Sequence, residues 1–132
     1  MSRENVDIVR ELFERANRQD ETLLDELYDP DAVWHSRADE PDTGVYEGRE
    51  AIRELWRMFR DMFDDLRMMP TEFIDAGDRV ITPGWVEGRG RASGAAVRDP
   101  YAWVTRLRDG KVIEVREYRD KAEALAAVGL DG

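Results

Sequence analysis

The hydrophobic spacing of this chain changes period near its middle, and that change limits what it can fold into. Up to about residue 64 the apolar residues recur every three or four positions, as one face of a helix requires. Beyond Met68 they fall in extended runs punctuated by turn formers. A parallel βαβ sheet needs helices and strands to alternate, and here helices come first and strands follow. The order predicts an α+β fold with a mostly antiparallel sheet.

Residues 2–17 set Val6, Val9, Phe13 and Ala16, with Ile8 and Leu12 beside them, on one broad stripe. Asp20 is placed to cap a short second helix carrying Leu23, Leu24 and Leu27. Asp29-Pro30-Asp31 ends that helix, because the residue before a proline is pushed out of the helical region. Residues 32–37 read as a first strand and 38–47 as a polar loop. Gly48 opens the longest helix, to about Asp64. Ile52, Leu55, Trp56, Phe59, Met62 and Phe63 share one face of it, and Arg53, Arg57 and Arg60 occupy the outer side. Ala76-Gly77-Asp78 separates extended runs over 71–75 and 79–90, and a turn near 92–94 precedes a long strand over 96–108. Asp109-Gly110 is the strongest hairpin signal, with a strand over 112–119 pairing back behind it. Asp120 caps a terminal helix to Val128, closed by Gly129.

At 132 residues, 42% of them hydrophobic, the chain can bury one core but not two, so residues 1–132 read as one domain. The absence of cysteine excludes disulfides, thiolate nucleophiles and cysteine metal ligands, and it suits a reducing compartment. No secretory signal precedes the first helix, and no apolar run approaches the ~18 residues that span a membrane. A cytoplasmic location is expected. Thirty acidic residues against 20 basic ones give a net charge of −10, which repels phosphate backbones and anionic lipid surfaces. Neither nucleic acid nor a membrane is expected as a partner.

Several segments carry a family resemblance: Asp-Pro-Asp-Ala-Val-Trp-His at 29–35, Gly-Arg-Glu-Ala-Ile-Arg at 48–53, Asp-Ala-Gly-Asp-Arg-Val at 75–80, Leu-Arg-Asp-Gly-Lys-Val at 107–112, Glu-Tyr-Arg-Asp at 117–120 and Ala-Leu-Ala-Ala-Val-Gly-Leu at 124–130. In this order they resemble the SnoaL-like branch of the nuclear transport factor 2-like superfamily, across essentially the whole chain. The resemblance implies a cone-shaped molecule, with a strongly curved mixed sheet wrapped around three N-terminal helices and an apolar cavity at the wide end. It also implies a homodimer and no cofactor. The superfamily holds ketosteroid isomerases, polyketide cyclases, limonene epoxide hydrolases and non-catalytic binding modules, so function has to be argued from the cavity residues.

Strand parity and the resemblance together nominate those residues. Ser36 falls where the isomerase-like pattern has its general-base aspartate. A hydroxyl cannot take a proton from carbon near neutral pH unaided, so steroid isomerisation is not expected. Trp34 falls at a tyrosine of the hydrolase-like pattern, and that parity turns His35 outward. A register slip of one residue would swing His35 in. Asp99 falls where the isomerase-like pattern has an acid kept protonated by apolar surroundings, here beside Tyr101 and Trp103. On a second reading Arg98-Asp99-Pro100 is a strand-entry turn with its carboxylate in water. Glu117 falls at a catalytic aspartate of the hydrolase-like pattern, with Ile113 and Val115 on its face. Otherwise it pairs with an arginine across an exposed sheet face. Arg79 stands at that pattern's arginine, but Ile81 takes the place of its second aspartate.

Trp34, Ser36, Trp56, Phe59, Tyr101, Trp103 and Val115, with Met62 nearby, are the expected pocket. It suits a small, planar, apolar ligand. Asp99 and Glu117 are the expected catalytic pair for cofactor-free acid–base chemistry; a binding module without chemistry and an epoxide hydrolase-like enzyme are the alternatives. Trp85 and Glu87 share inward parity unless Pro83-Gly84 marks a bulge. One histidine makes a poor metal site, and Asp39-Glu40-Pro41-Asp42 is either a seat for a hard cation or a solvated turn. No metal is expected.

Overall fold

Helices form where the three-and-four spacing is densest: α1 (Ser2–Asn17), α2 (Thr22–Leu27) and α3 (Arg49–Met62). The structure is a computed structural model that describes residues 2–37 and 44–130. The strands are β1 (Tyr28–His35), β2 (Val45–Glu47), β3 (Phe63–Pro70), β4 (Ile74–Ala76), β5 (Arg79–Gly90), β6 (Ala96–Arg108) and β7 (Lys111–Tyr118), and α4 (Lys121–Ala127) follows them. They make one curved, open, mixed sheet in the order β2-β1-β7-β6-β5-β3, with β4 paired to β5. The pairing of β1 with β7 is parallel and joins the first strand to the last; the others are antiparallel.

Local chemistry explains the joints. Asp109 and Gly110 both take left-handed backbone angles, φ 53° and 77°, which the β6–β7 hairpin needs to follow the strand twist. The Asp120 carboxylate accepts the Glu123 backbone N–H at 2.8 Å and starts α4. Asp20 accepts the Thr22 N–H at 3.1 Å at the head of α2. Arg15 is buried on α1 and reaches Glu11, Asp20 and Glu26 at 2.8–3.1 Å. Those hydrogen bonds, Glu26's foremost, push its pKa further up and tie the first two helices together.

The concave face of the sheet packs on α1–α3. Val9, Leu12, Phe13, Leu23, Leu24, Ile52 and Leu55 meet Val80, Trp103 and Val112 there. A fully buried aliphatic side chain of this kind contributes about 1.5–3 kcal/mol. The convex face carries a smaller cluster, in which α4 sets Ala124 and Leu125 over Ile81, Ala102 and Val104.

Several elements depart from the sequence expectation. β1 begins at Tyr28 and runs through Pro30, so Asp29-Pro30-Asp31 lies in the strand and does not only end a helix. β2 lies inside the stretch read as polar loop. β3 occupies residues assigned to the end of α3 and to the turn after it. Its alternation is broken by Asp65 at φ 55° and by a register shift between Asp64 and Arg67, which hides the period of two. The acidic segment Asp39-Glu40-Pro41-Asp42 lies outside the described residues.

Candidate functional site

One strand, β6, runs from solvent into the core and carries the site with it. Ala96–Pro100 are mostly exposed, whereas Tyr101–Thr105 are buried. Alternation turns Val97, Asp99, Tyr101 and Trp103 to the concave face. There a cavity of about 180 Å³ opens between β6, α3 and the turn joining α1 to α2. Trp34, Trp56, Phe59, Tyr101 and Trp103 line it, with Leu55, Leu66, Met68 and Val86 completing the apolar wall.

The rings hold one another in place. Trp34 meets Trp56 edge to face at 5.8 Å, and Tyr28 meets Trp56 the same way at 5.9 Å. Tyr101 stacks on Trp103 at 5.4 Å with 7° between planes. The Arg37 guanidinium lies 4.1 Å from the Tyr101 ring centre and donates to the Pro100 carbonyl at 2.8 Å. The Trp34 indole nitrogen is buried and has no acceptor among the described residues.

Two carboxylates lie on the wall in different settings. Glu117 sits beside Trp103 in the β6–β7 register and accepts its indole N–H at 3.2 Å, half-buried. Tyr28 is buried nearby, and desolvation, helped by the Glu117 charge, pushes its phenol well above the usual range. Asp99 lies within β6 opposite Val86, so it is not a strand-entry turn. It is nonetheless exposed, with no ion pair or hydrogen bond among the described residues. The expected burial between the Tyr101 and Trp103 rings is absent.

A polar rim closes the helical side. Glu21 accepts from Arg57 at 2.7 and 3.0 Å and from Arg60, and Arg53 approaches at 3.5 Å. The Arg57 and then the Arg60 hydrogen bonds hold the Glu21 carboxyl down at about 2, against the effect of burial. The arginine stripe of α3, exposed at Arg57, clamps Glu21 at the head of α2. Asn17 pins the end of α1 to β3 through both the N–H and the carbonyl of Met68, at 2.9 and 2.8 Å.

Other nominated residues lie elsewhere. Ser36 follows the end of β1, its backbone N–H bonded to the Gly44 carbonyl at 3.1 Å, and is not among the cavity-lining residues. Val115 is buried behind the wall, facing a second void of about 30 Å³ with Trp34, Trp56 and Trp103. Met62 is half exposed at the end of α3. Trp85 and Glu87 face away from the cavity: Trp85 donates its indole N–H to Glu87 at 2.7 Å and lies under Arg98. Arg79 and Ile81 share that parity, since Val80 packs in the concave core and Ile81 under α4, so the hydrolase-like arginine position points away. A register shift between Arg106 and Leu107 puts Val112, not Ile113, in the core with Val115. His35 faces Glu114 at 3.3 Å on the outer side. Among the described residues no group of three or more metal-ligating side chains is assembled, and no helix is long and apolar enough to cross a membrane.

Glu21, Arg60, Asn17, Leu66, Met68 and Val86 line the cavity without having been nominated. The one signal for them was the arginine spacing on α3, which needed a carboxylate facing it.

The family model described as a SnoaL-like domain matches residues 9–115. No curated protein matches the chain. Among solved structures, the chain is similar to an NTF2-like protein from Burkholderia xenovorans LB400, at 28% identity over 96% of each chain with a TM-score of 0.78. It is similar to IdmH from Streptomyces antibioticus, a candidate polyketide cyclase, at 25% identity over 94% of this chain and 97% of the other, TM-score 0.73. Bal32a, from a soil-derived mobile gene cassette, shares the fold at 24% identity over 88% of each chain, TM-score 0.80.

Proposed function

This chain belongs to the SnoaL-like domain family, and from that premise we propose that it binds a small, flat, largely apolar molecule with Glu117 as the proton acceptor of its site. The observation that carries this is the Trp103–Glu117 pair within an aromatic wall. An indole N–H can only donate, so it fixes the facing carboxylate oxygen as an acceptor and holds the carboxylate at the cavity wall. A base must be held within reach of the proton it takes, and the neighbouring rings leave a flat substrate few poses. The Tyr28 phenol stays neutral and adds no competing anion. Asp99, in water, does not serve as the acid of a two-carboxylate mechanism. A hydrolase-like reading loses its arginine because Arg79 lies on the other face.

The test uses α-tetralone in deuterated buffer. Binding should quench tryptophan fluorescence saturably and raise the melting temperature. Deuterium should enter the carbon next to the carbonyl, and Glu117→Gln should still bind but lose about a hundredfold or more of that exchange. Exchange that survives Glu117→Gln rejects the base assignment. The exposure of Asp99 favours a second reading, binding without chemistry, in which the wild type binds the ketone and exchanges nothing.

A further inference from the structure

We propose that the molecule this cavity takes is a cation: an ammonium group carried on an apolar or aromatic body. The inference deepens the reading above and rests on it, since both need the cavity to hold a small molecule.

The charged groups along the wall are unequal. Asp20, Glu21, Asp99 and Glu117 line the cavity on the acidic side, and Arg60 is the cation among the described lining residues. Asp20 is answered by Arg15 at 2.8 Å, and Glu21 by Arg57 and Arg60 together. Arg60 is thereby committed to the rim. Asp99 has no ion pair or hydrogen bond among the described residues, and it lies on the same side of β6 as Tyr101 and Trp103. Glu117 lies farther along the wall and is engaged by the Trp103 indole N–H, so Asp99 is the carboxylate that would meet the cation.

The neutral part of the wall points the same way. Aromatic rings present electron-rich faces, and an ammonium group near several of them is attracted most strongly when water is excluded. Trp34, Trp56, Phe59 and Trp103 surround one space, with carboxylates at two places on its edge. An anionic ligand would meet carboxylates, and among the described lining residues the guanidinium, Arg60, is already committed to Glu21. An uncharged ligand would fill the cavity but gain nothing from Asp99. The net charge of −10 raises the local concentration of small cations at any opening.

Three probes on one meta-substituted phenol frame separate the cases. The meta-hydroxyphenyltrimethylammonium ion and meta-tert-butylphenol differ only in a nitrogen cation for a carbon, and meta-hydroxybenzoate carries the opposite charge. Tryptophan fluorescence titrations at fixed ionic strength should show the ammonium binding about tenfold or more tighter than its carbon isostere, with the benzoate weakest. Asp99→Asn, at an exposed site that leaves the fold alone, should weaken the ammonium several-fold and leave the isostere unchanged. Equal binding of ammonium and isostere overturns the cation proposal while the cavity reading stands. Tightest binding by the benzoate overturns it too. If none of the three binds, the cavity reading itself fails.

Discussion

The two halves of β6 are the same strand under different rules. From Tyr101 to Thr105 each side chain is buried, and its neighbours dictate its identity: Trp103 touches Phe13 at 5.1 Å, Tyr101 at 5.4 Å and Glu117 at 3.2 Å. From Ala96 to Pro100 the strand keeps its ladder with β5 but is mostly open to water. Along this strand backbone pairing and side-chain constraint are separable. The inner half stabilises the fold; the outer half is free to carry charge, and there sits Asp99, without an ion pair among the described residues.

The hardest test of this division is Trp103→Ala. It removes a ring that is almost wholly buried and should cost about 3–5 kcal/mol in urea unfolding. A loss below 1 kcal/mol would show that the inner half is no more constrained than the outer one. Glu21→Gln, on the rim, should cost less, about 1–2 kcal/mol at neutral pH after solvent screening. Its sign with pH is fixed: the folded carboxyl titrates at about 2, below the ordinary glutamate value of about 4.5. The contribution is therefore complete above about 4.5 and lost as pH falls toward 2, so variant and wild type should converge in acid. Thr82→Val probes the inner face of β5, where a fully buried hydroxyl has no partner among the described residues. Replacing it with a methyl group of the same shape should be neutral or stabilising by up to about 1 kcal/mol. Smallest of all, Asp99→Asn should stay within about 0.5 kcal/mol of wild type. A larger stability change there would place Asp99 under the same rules as Trp103.

The same division explains what the sequence makes legible. The limits of β6 can be read directly, because its alternation runs unbroken between a glycine-containing turn and Asp109-Gly110. Parity along it and along β7 leads to Asp99, Tyr101, Trp103 and Glu117. Parity fails wherever a bulge intervenes: it puts Ile113 where Val112 belongs, and the broken alternation of β3 conceals Leu66 and Met68. It also fails where only an alignment sets the register, as at Arg79. The Glu21 clamp joins side chains 36 residues apart in sequence, and no local period reports which acid an arginine stripe will find. Ser36 lies one step past the end of β1, where alternation no longer governs direction. The environment of Asp99 depends on how far the strand projects from the core, and sequence spacing carries no such length.

The parallel pairing of β1 with β7 has a consequence for how this molecule forms. It sets Trp34 against Val115 and so brings the Trp34 side of the wall to the Glu117 side. These strands lie about eighty residues apart, and pairings of such separation come late because the entropy of closing so long a loop must be met first. α1, α2 and the β5–β6–β7 meander can assemble from nearer neighbours. The wall joining Trp34 to Glu117 is thus complete only after β7 has been made and has crossed to the first strand. A chain that stalls before that step is an open trough that exposes its rings.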